Sequence, residues 1–252
     1  MRRSVRLAAT ARIFAALSGV LIVLAPAAPA LAGPPFVTDD PQPTDDGHWE
    51  IYNFANLAHT PGASGGEAGL DLNYGAARDV QLTLVVPLAY DQDHTGMGVV
   101  EAAAKFKLLH QREGSWTPDV AVFPRFFLPT ASRGFDTGHT QLLLPVWAGK
   151  DFAGWSLFGG GGYQINPGQD NRNFWTSGVA LSRQVNTRLM LGAEVYHHTP
   201  DSRDGRSFTG LNLGGQWRLN PHWSLLLAGG PGLQNARDEG QYDVYFALKA
   251  DY

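Results

Sequence analysis

From Val80 to Leu88 every second residue is apolar: Val80, Leu82, Leu84, Val86 and Leu88. The same period of two runs through Ala68, Leu70, Leu72 and Tyr74, and through Val100, Ala102, Ala104, Phe106 and Leu108. It returns in Leu189, Leu191, Ala193 and Val195, in Leu211, Leu213, Gly215, Trp217 and Leu219, and in Tyr242, Val244, Phe246, Leu248, Ala250 and Tyr252. Side chains of an extended chain alternate between two faces, so each run is a strand with one apolar face. Weaker matches bring the expected number to about twelve strands.

The intervening positions are polar. They include Asp71 and Asn73, Glu101, Lys105 and Lys107, Arg188 and Glu194, then Asn212, Gln216 and Arg218. A soluble sandwich with one solvated face would show the same alternation strand by strand. The connections separate the two architectures. With the amino terminus on the periplasmic side, an outer loop is expected near 58–67, a tight turn at Gly75 to Asp79, a loop near 91–98 and a turn near 110–118. Loops near 129–139, 166–173, 199–207 and 232–241 are rich in Gly, Pro, Asp, Asn and Ser, whereas Gly149 to Ala153, Gln184 to Thr187 and Asn220 to His222 are compact. Longer loops alternating with short turns are the signature of an all-β, transmembrane, antiparallel up-and-down barrel.

Trp49, Tyr90, Trp147, Trp155, Trp175, Trp217, Trp223 and Tyr252 fall near the expected strand ends. An apolar ring with a polar tip is favoured at a membrane interface, although core aromatics of a sandwich would be spaced similarly. An even strand number brings Phe246 and Tyr252 to the periplasmic end as a terminal aromatic assembly signal. Pro87, Pro124 and Pro145 interrupt the pattern, because each removes a ladder donor. They mark strand ends and bulges, or else a deformed wall that opens sideways. Gly159 to Gly162 reads as a close-packed strand passage, since no Gly-Lys-Ser/Thr follows to make a phosphate cradle.

Composition narrows the compartment. Arg2, Arg3, Arg6 and Arg12 precede the apolar run Ile13 to Ala25 and the small residues Ala30-Leu31-Ala32. This predicts a signal peptide over 1–32, cleaved after Ala32; a twin-arginine route has only the Arg2-Arg3 pair in its favour. Removal of four of the 19 Lys+Arg and none of the 23 Asp+Glu takes the formal charge from −4 to −8. Such a balance argues against a nucleic-acid partner. The absence of cysteine excludes disulfides, thiolate metal sites, a cysteine nucleophile and a lipoprotein anchor.

Residues 33–47 form a separate extended segment ahead of a barrel spanning 48–252. Its prolines forbid a regular helix, and Asp39, Asp40, Asp45 and Asp46 make it acidic. It either docks in the lumen as a plug, with Lys105, Lys107, Arg188 and Arg218 as basic partners, or hangs as a periplasmic tail. The carboxylate spacing lacks the Asp-x-Asp-x-Asp-Gly pattern of a calcium loop. The stretch Gly33-Pro34-Pro35-Phe36-Val37-Thr38-Asp39-Asp40-Pro41, closely followed by His48-Trp49-Glu50, resembles outer-membrane proteins of the MetA-pathway phenol-degradation family. The resemblance extends less specifically over the mature chain. It implies a transporter-like outer-membrane barrel and import of small aromatic or other hydrophobic compounds, and brings no catalytic or ligand residues with it.

The expected function is a passive or substrate-selective pore without cofactor. Its lumen candidates are Asp71, Asn73, Glu101, Lys105, Lys107, Arg125, Arg188, Glu194, Asn212, Gln216 and Arg218. Its partners are outer-membrane lipid, the barrel-assembly machinery and a small solute. A barrel whose side chains close the interior would instead be a structural or surface-interaction module. His198, Asp201, Ser202 and Asp204 share one expected outer loop, but without a Gly-x-Ser-x-Gly elbow the hydrolase reading is weak. His59, His94, His139, His197 and His198 would lie at the outer rim without paired metal-ligand spacing.

Overall fold

The computed structural model describes residues 35–135 and 138–252. The expected signal peptide and cleavage site lie outside these residues, as do Gly33 and Pro34 of the extended segment. The described residues contain no helix. They form fourteen strands: β1 (Trp49–Thr60), β2 (Ala63–Ala77), β3 (Val80–Tyr90), β4 (Thr95–Met97), β5 (Val100–Leu109), β6 (Asp119–Val122) and β7 (Arg125–Leu128). There follow β8 (Gln141–Phe152), β9 (Trp155–Ile165), β10 (Phe174–Gln184), β11 (Leu189–His198), β12 (Phe208–Arg218), β13 (Trp223–Gln234) and β14 (Tyr242–Asp251).

These segments make twelve staves. β4 and β5 both pair with β3 and form one stave; β6 and β7 both lie between β5 and β8 and form another. All neighbours are antiparallel, and β1 pairs with β14 from Glu50 against Asp251 to His59 against Tyr242. That last pairing closes the sheet, so neither terminal strand is left with an unpaired edge.

The outer surface carries Leu70, Leu82, Leu84, Leu88, Leu144, Val146, Leu157, Val179, Leu191, Leu213, Leu227 and Phe246, all exposed. A soluble sandwich buries such a surface, whereas a barrel in hydrocarbon requires it. Aromatic contacts flank the band at both ends. Trp49 meets Tyr74 at one end, and Tyr163 meets Trp175 at the other. His222 and Trp223 pack on Tyr252, while His59 stacks on Tyr242. Tyr242 to Tyr252 is ten steps of a strand, which at the usual rise and a tilt near 40° covers about 25 Å.

Three features differ from the sequence pattern. The loop expected near 58–67 is a two-residue turn at Pro61-Gly62, because β1 and β2 continue their ladder up to Thr60 against Ala63. Gly62 has φ of 93°, which accounts for glycine there. Trp147 is no interface residue: it points inward in the middle of β8, 3% exposed. Finally, Pro87 and Pro145 lie within strands with their rings buried, while Phe123-Pro124 separates β6 from β7. The carbonyls beside the missing donors remain bonded, Pro87 to the Gly98 amide, Pro124 to that of Ala104 and Pro145 to that of Phe123. The interruptions sit on nearby staves, so this part of the wall has a thinner ladder than the rest.

Phe246 faces outward between Leu227 and Ala55 on the neighbouring strands. We expect Phe246→Arg to cost about 2–4 kcal/mol if the residue sits near the bilayer midplane. A lowered yield of heat-modifiable, folded barrel in outer membranes checks this; an unchanged yield would mean that the face does not meet lipid.

Candidate functional site: the lumen and its amino-terminal segment

A proline-rich extended chain has backbone donors that no ladder satisfies, and these must find partners if the chain is buried. Residues 35–44 run inside the barrel, where the wall supplies these partners, and 45–48 reach its mouth. Glu194 of β11, 1% exposed, accepts the amides of Val37 and Thr38 on its two oxygens at 2.8 Å each. Asn212 of β12 donates to the same carboxylate at 3.0 Å. Hydrogen bonds to a charged acceptor are each worth about 1.5–3 kcal/mol, so this clamp is a main anchor of the segment.

The next anchor comes from β5. The Lys105 ammonium, 4% exposed, bonds Asp39 Oδ1 at 3.0 Å and the carbonyls of Asp40 and Gln42. Lys107 reaches Gln42 Oε1 at 2.6 Å and Asp119 Oδ1 at 2.8 Å, and Gln42 in turn donates to Asp119. Further along, Thr44 donates its amide to Gln81, which belongs to a buried network with Asn73 and Thr83. The Gly47 amide bonds the Gly75 carbonyl as the chain turns into β1.

Close approach needs missing side chains on the wall. A Cβ on Gly178 would lie 3.1 Å from Thr38 Cβ and closer still to its hydroxyl; one on Gly149 would meet the Pro41 ring at 3.0 Å. Phe36 packs in an apolar cluster with Phe158, Ala180, Ala228 and Tyr245, and beside it Tyr52, Phe54, Leu226 and Ala247 form a second. The lumen thus holds apolar clusters as well as the polar positions recognised from the sequence.

Of the remaining charges, Arg125 forms a bidentate pair with Glu101 at 2.7 Å on both arms. Lys249 pairs with Glu50 at 2.7 Å and Asp251 at 2.8 Å. Asp71 faces inward beside Asn73 without an ion pair among the described residues. Gln216 is buried on the inner face. Arg188 and Arg218 lie apart from this group, around a cavity of about 710 Å³ at the barrel end where β1 begins and β14 ends. Asp45 and Asp46 are exposed at that mouth with backbone roles, Asp46 bridging Gly75, and form no ion pair among the described residues. A second cavity of about 430 Å³ lies deeper between the segment and the wall, and Glu50 borders both.

Glu50, Gln81, Asp119, Asp243 and Lys249 were absent from the sequence candidates. Their signal was present, because each occupies the polar parity of a strand whose apolar parity had been recognised or lies at the end of one. The hydrolase candidates do not assemble. His198 Nδ1 contacts the Thr199 carbonyl, its ring packs on Phe174 and Phe208, and Ser202 bridges Asn171 through the backbone. Among the described residues no group of three His, Asp or Glu could hold a metal ion.

The family described as "Putative MetA-pathway of phenol degradation" matches residues 33–249. No curated protein matches the chain. Among solved structures, a COG4313 outer membrane channel from Pseudomonas putida F1 is similar with a TM-score of 0.70 at 12% identity, covering 84% of this chain and 98% of that one. The NanC porin is similar with a TM-score of 0.56 at 11% identity, covering 80% of this chain and 98% of that one. These likenesses establish a shared barrel fold.

Gly178→Val places two methyl groups where Thr38 sits. We expect the barrel to remain heat-modifiable while amide exchange at Val37 and Thr38 accelerates at least tenfold. Unchanged protection at both amides would show that the segment is held elsewhere.

Proposed function

Because the chain belongs to the MetA-pathway phenol-degradation family, we propose that it is an outer-membrane channel for small solutes whose lumen is narrowed by residues 35–44. The observation that carries this reading is the inversion of polarity across one wall: leucine, valine and phenylalanine outside, and buried Asn73, Gln81, Glu101, Lys105, Glu194 and Gln216 inside. The named channel and porin of similar fold support it. Export by a signal peptide removed after Ala32 would deliver the chain to the barrel-assembly machinery, with Phe246 and Tyr252 in the terminal strand.

On this reading solutes move by diffusion, without a cofactor or covalent step. Lys105, Lys107, Glu101, Arg125, Glu194 and Asn212 shape the path by fixing the segment or each other, while Asp71 and the mouth residues Arg188 and Arg218 are left to meet the solute. The family description favours small aromatic or hydrophobic compounds, and the apolar clusters of the lumen give them a surface. A barrel closed permanently by the same segment is the competing reading, favoured by the number of bonds that hold it.

A mature chain starting at Gly47 decides between them in planar bilayers. We expect it to fold and to conduct several-fold more than a chain starting at Gly33 that itself conducts; a silent Gly33 chain would favour the closed barrel. Asp39 and Lys105 are 18% and 4% exposed, so salt screens their pair little and the difference should persist at high ionic strength. Equal conductance of the two folded chains would remove the segment from the path.

A further inference from the structure

The deeper cavity holds an imbalance of charge that the wall does not correct. Three carboxylates at its border are matched by ion pairs: Asp39 with Lys105, Glu101 with Arg125, and Glu50 with Lys249. Three others, Asp40, Asp71 and Asp243, border the same space and have no ion pair among the described residues; Lys105 near Asp40 and Arg125 near Asp71 are each already paired with another carboxylate. A carboxylate withdrawn from water without a counter-charge is costly, and the cost is relieved by a cation or a proton.

Two unpartnered atoms show which kind of group would pair here. Asp40 is 1% exposed; its Oδ1 accepts the Gln42 amide, but its Oδ2 is buried without a hydrogen-bond partner. Asn212 is 2% exposed; its amide nitrogen donates to Glu194 and to Asp243, which fixes its orientation and leaves Oδ1 buried and unpartnered. Both atoms are acceptors, so a group that pairs with them donates.

A bare metal ion fits poorly, since no group of three carboxylates or imidazoles among the described residues converges on one point. The space of about 430 Å³ is of the size that takes a small organic molecule. Phe36, Val85 and Tyr245 add aromatic and aliphatic surface beside the acids, which suits the carbon skeleton of an organic cation.

We propose that this cavity binds small organic ammonium compounds, the charged nitrogen lying on its acidic side near Asp40 and Asp71 and the hydrocarbon part lying against Phe36 and Tyr245. That such compounds are also the transported substrates rests on the channel reading above; the binding itself does not.

Calorimetric titration of the refolded full-length mature chain in neutral detergent tests it with three matched probes: phenethylammonium, 2-phenylethanol and phenylacetate. The ammonium should bind at least tenfold more tightly than the alcohol or the acid. Asp40→Asn with Asp71→Asn should remove at least tenfold of that affinity in a barrel that remains heat-modifiable, and Asp71→Asn alone should lower it if the double variant does not fold. Equal binding of the alcohol would reveal an apolar cavity and overturn the proposal. So would preference for phenylacetate, absence of ammonium binding, or variants with unchanged affinity. Bilayer conductance of the same preparation separates the two claims: ammonium binding without conductance supports the site and contradicts the channel, whereas conductance without ammonium binding does the reverse.

Discussion

Hydrocarbon offers no partner to a backbone amide, and the pairing of β1 with β14 is the contact on which the rest of this structure depends. Once the first strand meets the last, each stave is bonded on both sides and the apolar parity is committed to lipid. The opposite parity is then committed to a shared interior. Residues remote in sequence face each other there, and Lys249 reaches Glu50 across the closing seam. Closure thus creates the lumen and fixes its contents together.

A closed interior of twelve staves is too wide for its own side chains to fill and too narrow to keep many charges fully hydrated. The amino-terminal segment resolves part of this conflict. Its backbone amides satisfy Glu194, its Asp39 neutralises Lys105, and its Phe36 completes an apolar cluster on the far wall. The segment and the wall are therefore each incomplete alone. Removing one partner of such a buried pair leaves the other uncompensated, so a substitution on either the segment or its wall partners costs more than the loss of an exposed ion pair. What the segment leaves unmatched, Asp40, Asp71 and Asp243, defines the chemistry still available to a solute.

Much of this was legible from alternation. The runs at 80–88, 100–108 and 242–252 placed strands and faces because lipid demands an apolar residue at every second position. Glu101, Lys105, Glu194 and Asn212 were found as the polar remainder of the same rule. Partner choice was less legible: Glu194 reads as one more lumen charge until the fold brings Val37 and Thr38 to it across more than 150 residues. Glycine was ambiguous as well: Gly149 reads as the start of a compact turn, yet it lies within β8 and, like Gly178 of β10, is a site where the segment touches the wall. Trp147 misled because a turn expected from Gly149 put it near a strand end, whereas β8 runs on to Phe152. The turn at Pro61-Gly62 was hidden by small polar residues in β2 that resemble loop composition.

The central claim is that residues 35–44 occupy the lumen of the assembled barrel. Replacing Phe36 with the photoreactive p-benzoylphenylalanine keeps an aromatic ring in the cluster with Phe158, Ala180 and Ala228. Irradiation of intact outer membranes, followed by peptide mass spectrometry, reports what surrounds it. The account predicts cross-links within the same chain to β9, β10 or β13. Cross-links to lipid or to periplasmic proteins, with none to these strands, would contradict it.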